Sequence, residues 1–209
     1  MATVDLARRA EIGRLKRART RATIIEAALG LVRSKGLESP TIDDFIVAAE
    51  VARGTFYNHF ETRDELLLAL GSHVADAIDE LILPHFAGVD DPAQRIAIAI
   101  RQFVLAARQH PEWGHILVRT LHGAEGGWSE GMRRGVLADI RKGKRLGRFR
   151  FESTQAAVAI GIGALAMAIR TTLTEKTPAD FGETMAMLSL RALGVETQEA
   201  ERIARLPLR

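Results

Sequence analysis

The 209-residue chain contains no cysteine. That excludes a disulfide framework, a thiolate metal site and a cysteine nucleophile, and suits a reducing compartment. Aromatic residues are scarce, at 5%, and no stretch alternates apolar and polar residues, so a sheet has little to build on. No apolar block follows a basic start at Met1-Ala2-Thr3-Val4-Asp5, so a cytoplasmic location without a secretory leader is expected. The longest apolar run, 156–169, is 14 residues. A bilayer span needs about 20, so the run reads as a buried helix and no membrane partner is expected. There is no HExxH, glycine-rich phosphate loop or GxSxG elbow. His110 and His115 are five apart, and His115 and His122 seven, where ligands on one helical turn need a spacing of four. No catalytic residue, metal or cofactor is expected.

What the chain does have is an ordinary globular composition, 47% hydrophobic and 26% charged, and enough length to bury a core without staples. Its net charge of +3 is unevenly placed. Before Ile25, Arg8, Arg9, Arg14, Lys16, Arg17, Arg19 and Arg21 face only Asp5 and Glu11, an excess of five positive charges. Arg133, Arg134, Arg141, Lys142, Lys144, Arg145, Arg148 and Arg150 face only Asp139, an excess of seven. Such clusters are either footprints for phosphates or plain solvated faces.

Periodicity predicts helices throughout. Ile24, Ala28, Leu31 and Val32 share one face of a helix over about 20–35, stopped by Gly36. Thr41 caps a short second helix, with Asp43 and Asp44 at the positive end of its dipole. A third begins near Arg53. Two short helices joined by a tight turn outline a helix-turn-helix. Thr62, Asp64 and Glu65 open a long helix striped by Leu66, Leu70, Val74, Ile78 and Leu81. Asp91-Pro92 opens a fifth, and Pro111 sets off a sixth. A basic helix follows over about 129–142, then an irregular connection over 143–151. Ser153 caps a helix reaching about 175, and the last long one runs from Pro178 to Gly194, with a small tail over 197–204. The expected fold is all-α: a three-helix N-terminal helix-turn-helix module and a six-helix C-terminal regulatory and dimerisation domain. The expected segments are a basic arm at 1–18, a DNA-binding domain at 19–62 and a ligand-binding and dimerisation domain at 63–209.

A helix enters the major groove with its first turn against base edges. Here that turn carries Arg53, suited to guanine or a phosphate, Gly54, which lets the backbone come close, and Thr55, suited to thymine or an acceptor. Tyr57, Asn58 and His59 offer donors for phosphates. Thr41 and the free amides of its helix can grip another. Phe45, Val51, Phe56 and Phe60 belong to the core. Arg17, Arg19 and Arg21, just ahead of the first helix, form either an arm reaching a minor groove or phosphates, or a solubilising tail.

The block Gly54-Thr55-Phe56-Tyr57-Asn58-His59-Phe60, followed by Thr62-Arg63-Asp64-Glu65-Leu66-Leu67, resembles the DNA-binding signature of the tetracycline-repressor (TetR) family, and the likeness covers about the first 70 residues. The resemblance implies backbone contacts at Tyr57 and His59, and a further phosphate contact at Arg63, where the family usually has lysine. Three positions depart from the pattern. Glu50 replaces a turn glycine, with strain of about 1 kcal/mol if φ stays positive. Ala52 replaces a serine or threonine cap worth about 1 kcal/mol. Ile46 replaces a small residue where the two helices cross.

The resemblance also implies a homodimer, a pseudo-palindromic double-stranded DNA operator, and a possible small-molecule effector acting through the fourth helix. Repression by promoter occlusion is favoured over activation. The last two long helices are the expected dimer interface, through Ala157, Gly161, Ala164, Ala168, Phe181, Met185 and Leu188. His73, Phe103, Trp113, His115, Leu117 and Trp128 are the expected lining of a ligand pocket. A helical enzyme, or an interaction protein without sequence-specific DNA binding, is the alternative.

Overall fold

The computed structural model describes residues 2–121 and 130–208. These are all-α, as expected, with no strand among the described residues. The elements are α1 (Ala2–Lys35), α2 (Ile42–Ala48), α3 (Arg53–Tyr57), α4 (Arg63–Ile82), a 3-10 turn (Leu83–Phe86), α5 (Pro92–Gln109), α6 (Pro111–Thr120), α7 (Glu130–Arg145), α8 (Thr154–Thr174), α9 (Phe181–Ala192) and α10 (Thr197–Ala204). Two compact units result, Met1–Leu70 and Gly71–Arg209. The division between them falls inside α4, after Leu70.

In the first unit, α1 begins at Ala2 instead of near residue 20. Residues 2–19 are rich in Ala, Leu and Arg, hold no proline and have Gly13 as their one glycine, so nothing breaks the helix. Arg17, Arg19 and Arg21 therefore lie within α1, and the lead-in expected to be a flexible arm is helical. Ile24, Ala28 and Val32 are buried as their spacing requires, while Leu31 is half-buried. Thr41 caps α2: its hydroxyl accepts from the Asp44 amide at 3.2 Å, and the Asp44 carboxylate accepts from the Thr41 amide at 2.8 Å. Lys35 at the end of α1 reaches the same carboxylate at 3.0 Å. Hydrogen bonds from the Thr41 hydroxyl and amide, with Lys35, hold Asp44 well below the usual carboxylate range.

The α4 stripe departs from expectation at one position. Leu66, Leu70, Val74 and Ile78 are buried, but Ile82 completes the row while Leu81 is exposed, because steps of four from Leu70 onward lead to Ile82. Thr62 caps α4, accepting from the Glu65 amide at 3.2 Å, while Glu65 accepts from the Glu61 amide at 2.7 Å.

In the second unit α5 packs against α6, α7, α8, α9 and α10. α7 continues through Gly143, where a turn was expected. A β-carbon there would lie 2.1 Å from the Phe149 ring, so Gly143 is small to let that ring in, and Gly147, at φ +67°, makes the turn. Ser153 caps α8 as expected, through the Ala156 amide. α9 starts at Phe181, three residues after Pro178, and ends before Gly194, at φ +83°. Arg148 ties the start of α5 to α10: its guanidinium donates to Asp91 at 2.7 Å and to Glu199 at 2.6 Å. Asp91 also caps α5 through the Ala93 amide at 3.0 Å. Hydrogen bonds from Arg202 and Arg148 hold the Glu199 carboxyl down to about 2. Burial opposes ionisation of Asp91, but the Arg148 and Ala93 hydrogen bonds outweigh it and its pKa is also lowered.

A carboxylate with a depressed pKa adds stability that is present above its ordinary pKa and lost as pH falls through its folded value. The stability difference between wild type and Arg148→Met, measured by urea unfolding, should therefore be largest above about pH 5 and narrow as pH falls toward 2. A difference independent of pH would refute the ion-pair account.

Candidate functional site

Phe45, Phe56 and Phe60 are all buried in the first unit, the Phe56 and Phe60 ring centroids 5.9 Å apart. Val51 is half-buried. With Phe56 facing inward, the start of α3 faces solvent. Arg53 and Gly54 are exposed, Thr55 is half-buried, and nothing lies within 4 Å of where a Gly54 β-carbon would be. Arg53 donates to Asp43 of α2 in an exposed ion pair. Tyr57 and Asn58 are exposed and His59 half-buried. Thr41 is exposed, with its side chain turned to Asp44.

Arg63 is placed differently from its expected role. Its guanidinium donates to the carbonyls of Leu37 at 2.6 Å and Pro40 at 3.3 Å, so it fastens the α1–α2 loop instead of standing free for a phosphate. On α1, Arg19 is exposed and Arg21 stacks on the Phe60 ring, 4.7 Å from its centroid. Arg17 donates to the Asn58 carbonyl at 3.0 Å. Lys16, Arg17, Thr20, Asn58 and His59 thus line a shallow basic groove between α1 and the end of α3. Burial, and then the charges of Arg17 and Arg21, push His59 below the ordinary histidine pKa, so near neutral pH it presents an uncharged ring.

The turn between α2 and α3 carries the two departures seen in sequence. Glu50 sits at φ +53°, the one non-glycine residue with positive φ among those described. Ala52 occupies the N-cap of α3 with extended backbone and no side-chain hydrogen bond. Ile46 is half-buried.

The second unit holds a cavity walled by α5, α7, α8 and α9, with about 710 Å³ of empty space, part of it open to solvent. Of the residues expected to line a pocket, Phe103 does so. His73 is half-buried on α4, His115 is exposed on α6, and Leu117 is core. Trp113 stacks on His110 at 4.5 Å, its Nε1 buried without a partner among the described residues. Trp128 lies outside the described residues. The expected site relied on the apolar face of α6, but α6 is pressed against α8: a β-carbon on Gly114 would lie 3.0 Å from both Leu173 methyls. The opposite wall, from Met132, Val136 and Ile140 of α7, was missed, although their spacing of four marks an apolar face under a basic helix.

The expected dimer stripe also shifts. Ala157 and Ala168 are buried within the chain, and Ala157 and Gly161 line the cavity. Ala164, Phe181 and Met185 are half-buried, and Leu188 is exposed. The outward face of α8 is instead Ala156, Ile160, Gly163 and Met167, one to two positions round the helix. α8 is 21 residues long, with a window of mean hydropathy 1.7, and so passes the length and composition test for crossing a membrane; 28% of that window is buried in the chain.

Ala52→Ser should add a capping acceptor to α3 and raise stability by about 1 kcal/mol, read as a higher urea midpoint with unchanged slope. An unchanged midpoint would show that the α3 amides are already satisfied.

Comparison with known proteins agrees with this geometry. Residues 24–70 match the family model "Bacterial regulatory proteins, tetR family" and residues 91–206 match "Tetracyclin repressor-like, C-terminal domain". The chain is 27% identical over 89 residues to the uncharacterized HTH-type transcriptional regulator YvdT of Bacillus subtilis (strain 168), a match spanning 43% of this chain and 46% of that protein. It is similar to the crystal structure of RolR with resorcinol, at 30% identity and TM-score 0.75 over 93% of this chain and 97% of RolR. It is also similar to RolR without ligand, at 26% identity and TM-score 0.71 over 90% and 97%. The helix-turn-helix match at one end and the regulatory-domain match over more than half of the chain together make this protein a member of the TetR family of transcription regulators.

Proposed function

We propose that the protein is a cytoplasmic, homodimeric repressor that binds a pseudo-palindromic DNA operator and is released by a small-molecule effector. The observation that carries this reading is the start of α3, where Arg53 and Gly54 are exposed and Thr55 is half-buried above a buried Phe56. Arg53 and Thr55 read base edges, and the bare backbone at Gly54 allows the close approach this needs. Tyr57, Asn58, His59, Arg19, Arg21 and the N-terminus of α2 at Thr41 hold phosphates, which fix register. Arg63 acts from behind, by fastening the loop that positions α2. A rigid helix about 10–12 Å across does not enter a minor groove about 6 Å wide, so the basic residues of α1 act on phosphates.

A single helix-turn-helix reads few base pairs, and a two-fold dimer doubles the contacts. The exposed apolar row of α8, with Leu188 of α9, suits a four-helix bundle between two copies. It gives α8 a protein neighbour in place of a bilayer. The cavity in the second unit is the effector site. RolR was crystallised with resorcinol, which supports a small molecule as the ligand class.

Selection from random duplex DNA should recover a two-fold symmetric site whose half-site centres lie about one helical turn or more apart. Arg53→Ala should then lose roughly 1–3 kcal/mol of discrimination at one base position. Recovery of no symmetric site would overturn the reading, and a loss equal across all sequences would make Arg53 a backbone contact.

A further inference from the structure

The lining of the α5–α7–α8–α9 cavity has an unusual chemical make-up. Among the described residues it comprises side chains such as Ile100, Phe103, Val136, Ile140 and Leu165, with no Asp, Glu, Lys, Arg or His. One ion pair joins α5 to α7: Arg95 donates to both oxygens of Asp139 at 3.0 Å. One polar side chain stands in the wall. Ser189 of α9 is 8% exposed, and its hydroxyl makes no hydrogen bond among the described residues. Serine and threonine on other helices here do turn back to their own backbone, as Thr172 does to the Ala168 carbonyl at 2.9 Å.

We propose that this cavity selects an uncharged, mainly hydrocarbon ligand carrying one hydroxyl or carbonyl group, which pairs with the Ser189 hydroxyl. The inference rests on the cavity being the effector site, and adds to that reading the class of effector. A charged ligand would leave water without a counter-ion, a penalty far larger than any hydrogen bond to Ser189 returns. A pure hydrocarbon would leave the hydroxyl unpaired. A ligand with a single neutral polar group meets both conditions.

The test is a calorimetric titration of the full-length protein, without DNA, with 1-octanol and with octanoate at pH 8, where the acid is ionised. Octanol should bind at least tenfold more tightly than octanoate. Ser189→Ala should weaken octanol about fivefold, the worth of one neutral hydrogen bond, and narrow the gap between octanol and an alkane of equal length. Ala157→Phe, which fills the cavity, should abolish octanol binding. If that variant fails to fold, Ile140→Phe provides the same blockade from α7. Equal or tighter binding of octanoate, no binding of octanol, or octanol binding unchanged in a folded, filled variant would each overturn the proposal. A parallel DNA-binding assay separates it from the broader reading. Octanol bound in the cavity without effect on operator affinity would sink the effector role and leave the ligand class standing, whereas operator binding without octanol binding would do the reverse.

Discussion

Burial of Phe56 is the constraint on which the exposed face of α3 depends. A helix of five residues has no stability of its own, because nucleation costs more than one turn of hydrogen bonds returns. α3 is further handicapped by an N-cap alanine that offers no acceptor and by a preceding turn held at positive φ on Glu50. What keeps it helical is the side chain at its centre, fully buried beside Phe60 and in the same core as Phe45. Since the residue two positions before Phe56 does not share its face of a helix, sealing that ring inside leaves Gly54 on the outside, with Arg53 exposed and Thr55 half-buried beside it. The outer face of α3 follows from the core.

The same dependence of outer on inner structure recurs in the second unit. Gly143 accepts the Phe149 ring where any side chain would collide, and Arg148, next to that ring, locks Asp91 and Glu199. The end of α7 and the start of α5 are thereby fixed, and these two helices form much of the cavity wall. The described lining of the cavity is uncharged, and Arg95 of α5 and Asp139 of α7 are paired with each other.

Much of this was legible in the sequence for identifiable reasons. Caps are local signals, so Thr41, Thr62, Asp91 and Ser153 marked four helix starts correctly. The motif around α3 was equally local, and the spacing of Phe45, Phe56 and Phe60 marked the core. What was not legible depended on rotation and on pairwise packing. On α8 the small residues Ala157, Gly161, Ala164 and Ala168 were expected to meet a second chain, yet Ala157 and Ala168 are buried within this one and Gly161 and Ala164 are half-buried. In a helix apolar nearly all round, periodicity cannot say which face is which. The pocket was expected along α6, because the sequence does not show that Gly114 lets α6 close down on Leu173. The helical start of α1 is hidden by its run of charges, which reads as an arm although its intrinsic helix propensity is high.

Ile160 belongs to both sides of α8. It contributes to the cavity wall, yet 55% of it is accessible from outside. One side chain is therefore shared by the cavity and the outer surface of that helix. A guest large enough to change the rotamer of Ile160 would alter the shape offered on the outside, and a neighbour that pressed it inward would trim the space within. The shortest route between the two faces of α8 is the width of a single isoleucine.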